Sequence, residues 1–148
     1  MCQIIVKQEG QKFDMRKLDV AQGWNGDGYG VSWFEDKQLQ TFTTMSYKRF
    51  KAVLSTLKAQ KAVAHLRNTT RGDTCTDNNH PFDVPSGKLF HNGTIYGVEC
   101  DTVGGSDTQA LAEMISECDY NFIEDVLPLV THIVGDKLNK LVFFEDDG

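Results

Sequence analysis

The second residue of the chain is a cysteine, and this position has a chemical consequence. Cys2 directly follows Met1. A small second residue permits removal of an initiator methionine, which would leave one residue with both a thiol and a free α-amine. That amine, with a reference pKa of about 7.7 to 8.0, can accept the thiol proton near neutral pH and later return a proton to a leaving group. The alternative is a buried strand cysteine, since cysteine is among the most buried residue types.

Asn92 and Gly93 form a pair that suits an oxyanion hole. A side-chain amide and a backbone N–H at a turn can both donate to a developing negative charge, and glycine lets a substrate approach closely. An Asn-Gly pair is also the strongest short-range signal of a β-hairpin turn. The two interpretations are compatible, and the sequence leaves both open.

Arg67 and Asp107 are charged residues at the ends of predicted elements. Arg67 follows the apolar segment AVAHL, so its planar fork at a strand end could hold a carboxylate through two parallel hydrogen bonds. Asp107 lies at the start of a predicted helix, opened by Ser106 with Gln109 three residues later, which is a capping-box pattern. An acid at this position can also serve only the helix dipole, worth about 0.3 to 1 kcal/mol.

Strands and helices that must position these residues are predicted along the whole chain. Predicted strands cover residues 2–6, 31–36, 62–66, both sides of the turn within 87–98, and the last segment, 140–148. Predicted helices cover residues 46–58, 106–118 and 120–130, the last interrupted or restarted at Pro128. Four glycines within residues 23–30 mark a turn followed by close backbone packing. This order favours layers of sheet and helix over a regular βαβ alternation.

Length and charge exclude several classes of function. The 148 residues predict one domain over 1–148, and a net charge of -6 provides no basic field for nucleic acid or an anionic membrane. Residues 1–20 lack the apolar core of a signal peptide, and no stretch reaches the ~20 apolar residues of a membrane span, so we expect a cytoplasmic protein. The four cysteines are then expected to be free thiols. Because Cys75 and His80 are the only close ligand-like pair, we expect neither a metal nor a cofactor.

Four segments, in this order and at these intervals, carry a family resemblance. They are Cys2, HLRNTTRGD at 65–73 with NNHPF at 78–82, LFHNGTI at 89–95, and SDTQAL at 106–111. Together they resemble the glutaminase domain of the class II glutamine amidotransferases, which belong to the N-terminal nucleophile hydrolase superfamily. The glycine-rich NGDGYGVSW at 25–33 resembles the matching early segment of the same family.

The resemblance implies a fold and a set of site residues. The implied fold is α+β, a four-layer αββα sandwich of two mainly antiparallel sheets with helices outside. The implied substrate is glutamine, attacked at its side-chain amide. The implied roles are nucleophile for Cys2, oxyanion hole for Asn92 and Gly93, binding of the substrate α-carboxylate for Arg67 and Thr70, and binding of the α-ammonium for Asp107.

The chain also departs from the family pattern. Gln22 and Gly23 stand where many members have Arg-Gly, and Arg71 stands where many have histidine after the carboxylate-binding threonine. Familiar members have a longer glutaminase domain, fused to a synthase domain that consumes ammonia. We therefore expect either that ammonia passes to a separate synthase or acceptor protein, or that this short chain is a reduced version without the last strands.

Two other functions fit the same sequence. One is hydrolysis of another amide, such as a γ-glutamyl compound or an acylated amine, because fold does not determine substrate. The other is a non-catalytic binding or regulatory module. None of the four histidines is expected to be catalytic: His65, His80, His91 and His132.

Overall fold

The structure is a computed structural model that describes residues 1–85, 87–98, 100–118, 128, 130–131 and 138–146. Its elements, in chain order, are β1 (Gln3–Lys7), α1 (Met15–Gln22), β2 (Tyr29–Glu35), β3 (Gln38–Thr44), α2 (Tyr47–Thr56), β4 (Ala62–Leu66), a 3₁₀ turn (Thr76–Asn78), β5 (Phe82–Val84), β6 (Gly87–Asn92), α3 (Asp107–Glu117) and β7 (Lys140–Glu145).

The strands form two antiparallel sheets. The first has the order β1-β4-β2-β3, and the second has the order β5-β6-β7. In the first sheet, Leu66 at the end of β4 pairs with Gln3 of β1 on one side and with Tyr29 of β2 on the other. The start of β1, the start of β2 and the end of β4 therefore lie at the same end of the sheet.

Strand β4 is buried on both faces, which explains its uninterrupted apolar sequence. Ala62, Ala64 and Leu66 pack in one cluster with the α2 residues Phe50 and Leu54. On the opposite face, Val63 packs with Phe90 of β6 and Phe144 of β7. The first sheet thus has helices on one face and the second sheet on the other.

The second sheet is covered on its far face by α3. Leu89 of β6 packs with Leu111 and Ile115 of α3, and Phe143 of β7 lies against the same cluster. Alternation along β6 separates the two faces, since Leu89 and Phe90 are in different clusters. The expected α+β class with two antiparallel sheets is confirmed.

Local signals predicted α2 and α3. Ser46 caps α2 by accepting from the Arg49 N–H, and Ser106 caps α3 by accepting from the Gln109 N–H. No helix in the described ranges is long and apolar enough to cross a membrane.

Other elements differ from the prediction. The strand expected after Gly93 is absent, because residues 94–98 have no strand structure. Helix α1 and strands β3 and β5 were not predicted. Most of the helix expected at 120–130 lies outside the described residues.

Candidate active site

Cys2 lies where the strand ends of the first sheet converge. Because Gln3 pairs with Leu66, Cys2 lies beside Arg67 and Asn68, which follow β4. The Cys2 Sγ accepts a hydrogen bond from the Asn68 N–H at 3.3 Å and is 3.4 Å from the Asn68 carbonyl oxygen. The thiol is therefore held at the end of the sheet, half-buried, by backbone groups of one residue.

The surroundings of Cys2 favour the neutral thiol. Burial raises the pKa of the Cys2 thiol above its ordinary value, opposed by the Asn68 backbone, the positive chain terminus and Arg67. Since only the thiolate is a strong nucleophile, the site requires a base to remove the proton.

Arg67 is buried at the same strand end. Its Nη1 donates to the Asp73 carbonyl at 2.8 Å and its Nη2 donates to the Arg71 carbonyl at 2.9 Å. A guanidinium has five N–H donors, and these two bonds tie two of them to the loop that follows. Burial lowers the pKa of Arg67, and Cys2, Cys75, Asp27 and Asp107 oppose this shift.

The loop after Arg67 is fixed by Asp27. Backbone bonds join the Arg67 N–H to the Gly28 carbonyl and the Asp27 N–H to the Arg67 carbonyl. The Asp27 carboxylate accepts from the Thr69 N–H at 2.8 Å. Thr70 is exposed, and no contact within the described ranges joins its side chain to Cys2 or Arg67.

Asn92 ends β6 at a point where the two sheets are joined. His65 Nε2 in β4 lies 3.1 Å from the His91 carbonyl oxygen in β6. Asn92 follows His91 and, by alternation, lies on the strand face of Phe90, which packs between the sheets. Its Oδ1 is buried without a hydrogen-bond partner among the described residues.

The Asn92–Gly93 pair does not form a hairpin turn. Asn92 pairs with Lys140 of β7, and β6 has only β5 and β7 as neighbours in the described sheet. Gly93 has a φ of 149°, outside the left-handed helical region that a type I′ turn requires. The pair instead ends one strand and directs the chain towards α3.

Asp107 does more than complement the dipole of α3. Its Oδ2 accepts from the Ile95 N–H at 2.7 Å, and its Oδ1 accepts from the Thr108 N–H at 2.9 Å. The buried carboxylate also lines a cavity of about 330 Å³. The other lining residues are Arg71, Gly72, Val98, Cys100 and Gly105.

The structure brings part of the expected site together. Cys2 lies beside Arg67, and Asp107 shares a cavity with Arg71, whose carbonyl oxygen accepts from Arg67. Asn92 lies one residue beyond the link between the sheets. Asn68 and Asp27 had no expected role, although both lie in segments that carry the resemblance.

The described ranges contain no group of three His, Cys, Asp or Glu residues that could hold a metal ion. His65 and His80 are instead buried, with ring centroids 4.0 Å apart.

Comparison with known proteins identifies the family of this chain. The family model described as glutamine amidotransferases class-II matches residues 7–131, and Cys2 precedes the matched segment. A protein described as probable glutamine amidotransferase DUG3, from Saccharomyces cerevisiae, is 35% identical over 96 residues, covering 57% of this chain and 27% of that protein. The chain therefore spans about a quarter of the length of this curated relative.

Proposed function

This chain belongs to the class II glutamine amidotransferases, and from that membership we propose that it hydrolyses the side-chain amide of glutamine with Cys2 as the nucleophile. One observation carries the proposal. Cys2 lies beside the buried Arg67, and Asp107 shares a cavity with Arg71, whose carbonyl oxygen accepts from the Arg67 guanidinium. A nucleophile and charges of both signs, as a free amino acid requires, are thus in one neighbourhood.

The reaction begins once Met1 has been removed. The α-amine of Cys2 accepts the thiol proton, and the thiolate attacks the amide carbon of glutamine. The protonated amine then gives its proton to the departing nitrogen, so the C–N bond breaks, ammonia leaves and a thioester remains. Water hydrolyses the thioester, which releases glutamate and restores the thiol. The raised pKa of Cys2 supports the need for this base.

Asn92 and Gly93 stabilise the oxyanion formed in both steps. The Asn92 amide and the Gly93 N–H are two donors at the end of β6, the pair of groups that an oxyanion hole requires. The Asn92 side chain lies on the strand face turned towards the first sheet, which ends in Cys2 and Arg67.

The charged ends of glutamine are bound by residues of both sheets. Arg67 holds the α-carboxylate through N–H donors not engaged with the 71–73 loop, with Thr70 in support, and Asp107 holds the α-ammonium. This pair favours a free α-amino acid over an acylated amine, which lacks the two charges.

The packing of helices outside two facing sheets supports an αββα sandwich of the N-terminal nucleophile hydrolase type. In this proposal the chain acts in the cytoplasm, and its ammonia passes to a separate synthase or acceptor protein.

The direct test is turnover of a small substrate panel by protein with Cys2 at its N-terminus. We expect equimolar ammonia and glutamate from glutamine, and little product from amides that lack the α-carboxylate or carry an acylated α-amine. Cys2→Ala should abolish turnover with the melting temperature nearly unchanged, because it removes the nucleophile and little volume. Equal turnover of the blocked amides, or near wild-type turnover by Cys2→Ala, would refute the proposal.

A further inference from the structure

The imidazole of His91 connects the turn after β6 to two distant parts of the chain. Its Nε2 lies 2.8 Å from the Oδ1 of Asn139, the residue before β7. Its Nδ1 lies 2.9 Å from the Oγ1 of Thr108, the second residue of α3. The bond to Thr108 is buried and the bond to Asn139 is partly buried, so the ring nitrogens depend mainly on these two partners.

The chemistry of the partners fixes the proton on this ring. An amide oxygen can only accept, so Nε2 carries the hydrogen and donates it to Asn139. Nδ1 is then the acceptor, and the Thr108 hydroxyl donates to it at 2.9 Å in preference to the Asp107 Oδ1 at 3.4 Å. Burial also lowers the pKa of His91, in agreement with a neutral ring.

Asn139 also lies directly against Gly93. A Cβ added to Gly93 would overlap the Asn139 Oδ1 and lie 3.0 Å from its Cα. The Asn139 Oδ1 therefore accepts a hydrogen bond from His91 and also contacts the backbone of Gly93. A movement of Asn139 would therefore affect Gly93 through the hydrogen bond to His91 and through direct contact.

The segment that follows Asn92 and Gly93 is also bonded to the start of α3. Ile95 donates its N–H to the Asp107 carboxylate, and Asp107 precedes Thr108 in α3. His91 is thus bonded to Thr108, and Ile95 is bonded to Asp107. Between these two bonds, Asn139 contacts Gly93.

We propose that Asn139 and Thr108 are positioning residues that, through His91, fix the orientation of the Asn92–Gly93 turn. This inference rests on the proposed function, in which that turn holds the oxyanion. Neither residue touches the substrate. Because the donors must meet a charge that exists only in the transition state, a loosened turn lowers kcat and leaves KM nearly unchanged.

The kinetic test uses Asn139→Leu, which keeps the branched shape and removes the acceptor, together with Thr108→Val. Each variant should lower kcat for glutamine by about 10- to 100-fold, the cost of a misplaced group, with KM within about twofold. The double variant should lose less than the product of the two single losses, because both act through one ring. Leu138→Ala, at an exposed neighbouring position, should match wild type.

A second measurement does not depend on turnover. Nitrogen shifts of the His91 ring in labelled protein should show the Nε2–H form in wild type. In Asn139→Leu the Nε2 resonance should shift because its hydrogen loses its acceptor, and the Gly93 amide resonance should shift as well. If wild type fails to hydrolyse glutamine but these shifts occur, the proposed function fails and the positioning of the turn stands. An active wild type with unchanged kcat in Asn139→Leu, or a loss explained by its unfolded fraction, would overturn the inference.

Discussion

At the residue scale, the candidate site contains a cysteine and an arginine whose pKa values are altered by burial. The Cys2 thiol is kept protonated by burial, and Arg67 is buried with two N–H groups bonded to loop carbonyls. Residue chemistry and motif order together predicted six site positions, and the structure places Cys2 beside Arg67, and Asp107 in a cavity with Arg71. The support from Asn139 could not be predicted, because its contact with His91 spans 48 positions and no local pattern marks it.

Asn92→Asp separates the catalytic and structural roles of Asn92. The substitution keeps the shape of the side chain and replaces an N–H₂ donor with a carboxylate that repels the oxyanion. We expect kcat to fall by about 10² to 10³ or more, as when an oxyanion-hole donor is lost. Thermal melting is measured beside turnover, because the Asn92 Oδ1 is buried without a hydrogen-bond partner in the described ranges and a new charge there costs stability. Near wild-type turnover would remove Asn92 from the oxyanion hole.

At the scale of elements, local patterns predicted some segments and missed others. The bounds of β4 and the caps of α2 and α3 follow from apolar runs and capping residues within a few positions. Strand β3 has the mixed sequence QLQTFTT, and it is held by pairing with β2, including a bond between the Ser32 and Thr41 hydroxyls. The end of β6 at Asn92 was misjudged as a hairpin because its true partner, β7, begins at residue 140.

Gly30→Ala tests the close packing of β2 against the segment before β5. A Cβ at Gly30 would overlap the carbonyl oxygen of His80 and lie 2.8 Å from its carbonyl carbon, so the backbone itself would have to move. We expect a loss of about 3 kcal/mol or more in the free energy of unfolding measured in urea, at the upper end for overpacking.

The matched control is Gly23→Ala at the end of α1. Gly23 has a φ of -60°, and an added Cβ would meet its nearest atom at an ordinary 3.4 Å. This variant should be neutral or up to about 1 kcal/mol more stable, because alanine restricts the unfolded chain. Equal stability of the two variants would contradict the packing described for Gly30.

At the scale of the whole molecule, three buried histidines lie at the junction of the sheets. Burial lowers the pKa of His65 to about 3, of His80 well below its ordinary value, and of His91 as well. Arg67 adds a repulsive positive charge to His65 and His80. The folded protein therefore holds these rings neutral where the unfolded chain would protonate them.

Stability should consequently fall on mild acidification. The unfolded chain binds these protons below a pKa of about 6.5, so the stability is complete above that pH and declines as pH falls towards the lower folded pKa values. Each ring contributes a decline of up to about 1.4 kcal/mol per pH unit. The combined fall in the free energy of unfolding is measured by urea unfolding at pH 7 and at pH 5.

His80→Leu isolates one of the three rings. Both ring nitrogens of His80 are buried without a hydrogen-bond partner among the described residues, and the ring contacts Phe82, so an apolar side chain of similar size suits the site. Below pH 6.5, the free energy of unfolding of this variant should fall by about 1 kcal/mol less per pH unit than that of wild type. An identical decline in both proteins would show that His80 is not held neutral by the fold.

The most direct test of the central claim compares two preparations that differ only in Met1. Intact mass identifies the form that retains Met1 and the form that begins with Cys2, and both are assayed for ammonia and glutamate from glutamine. We predict turnover only in the form with a free Cys2 amine, because Met1 converts that amine into a peptide N–H that cannot accept the thiol proton. Equal turnover by the form that retains Met1 would contradict the mechanism.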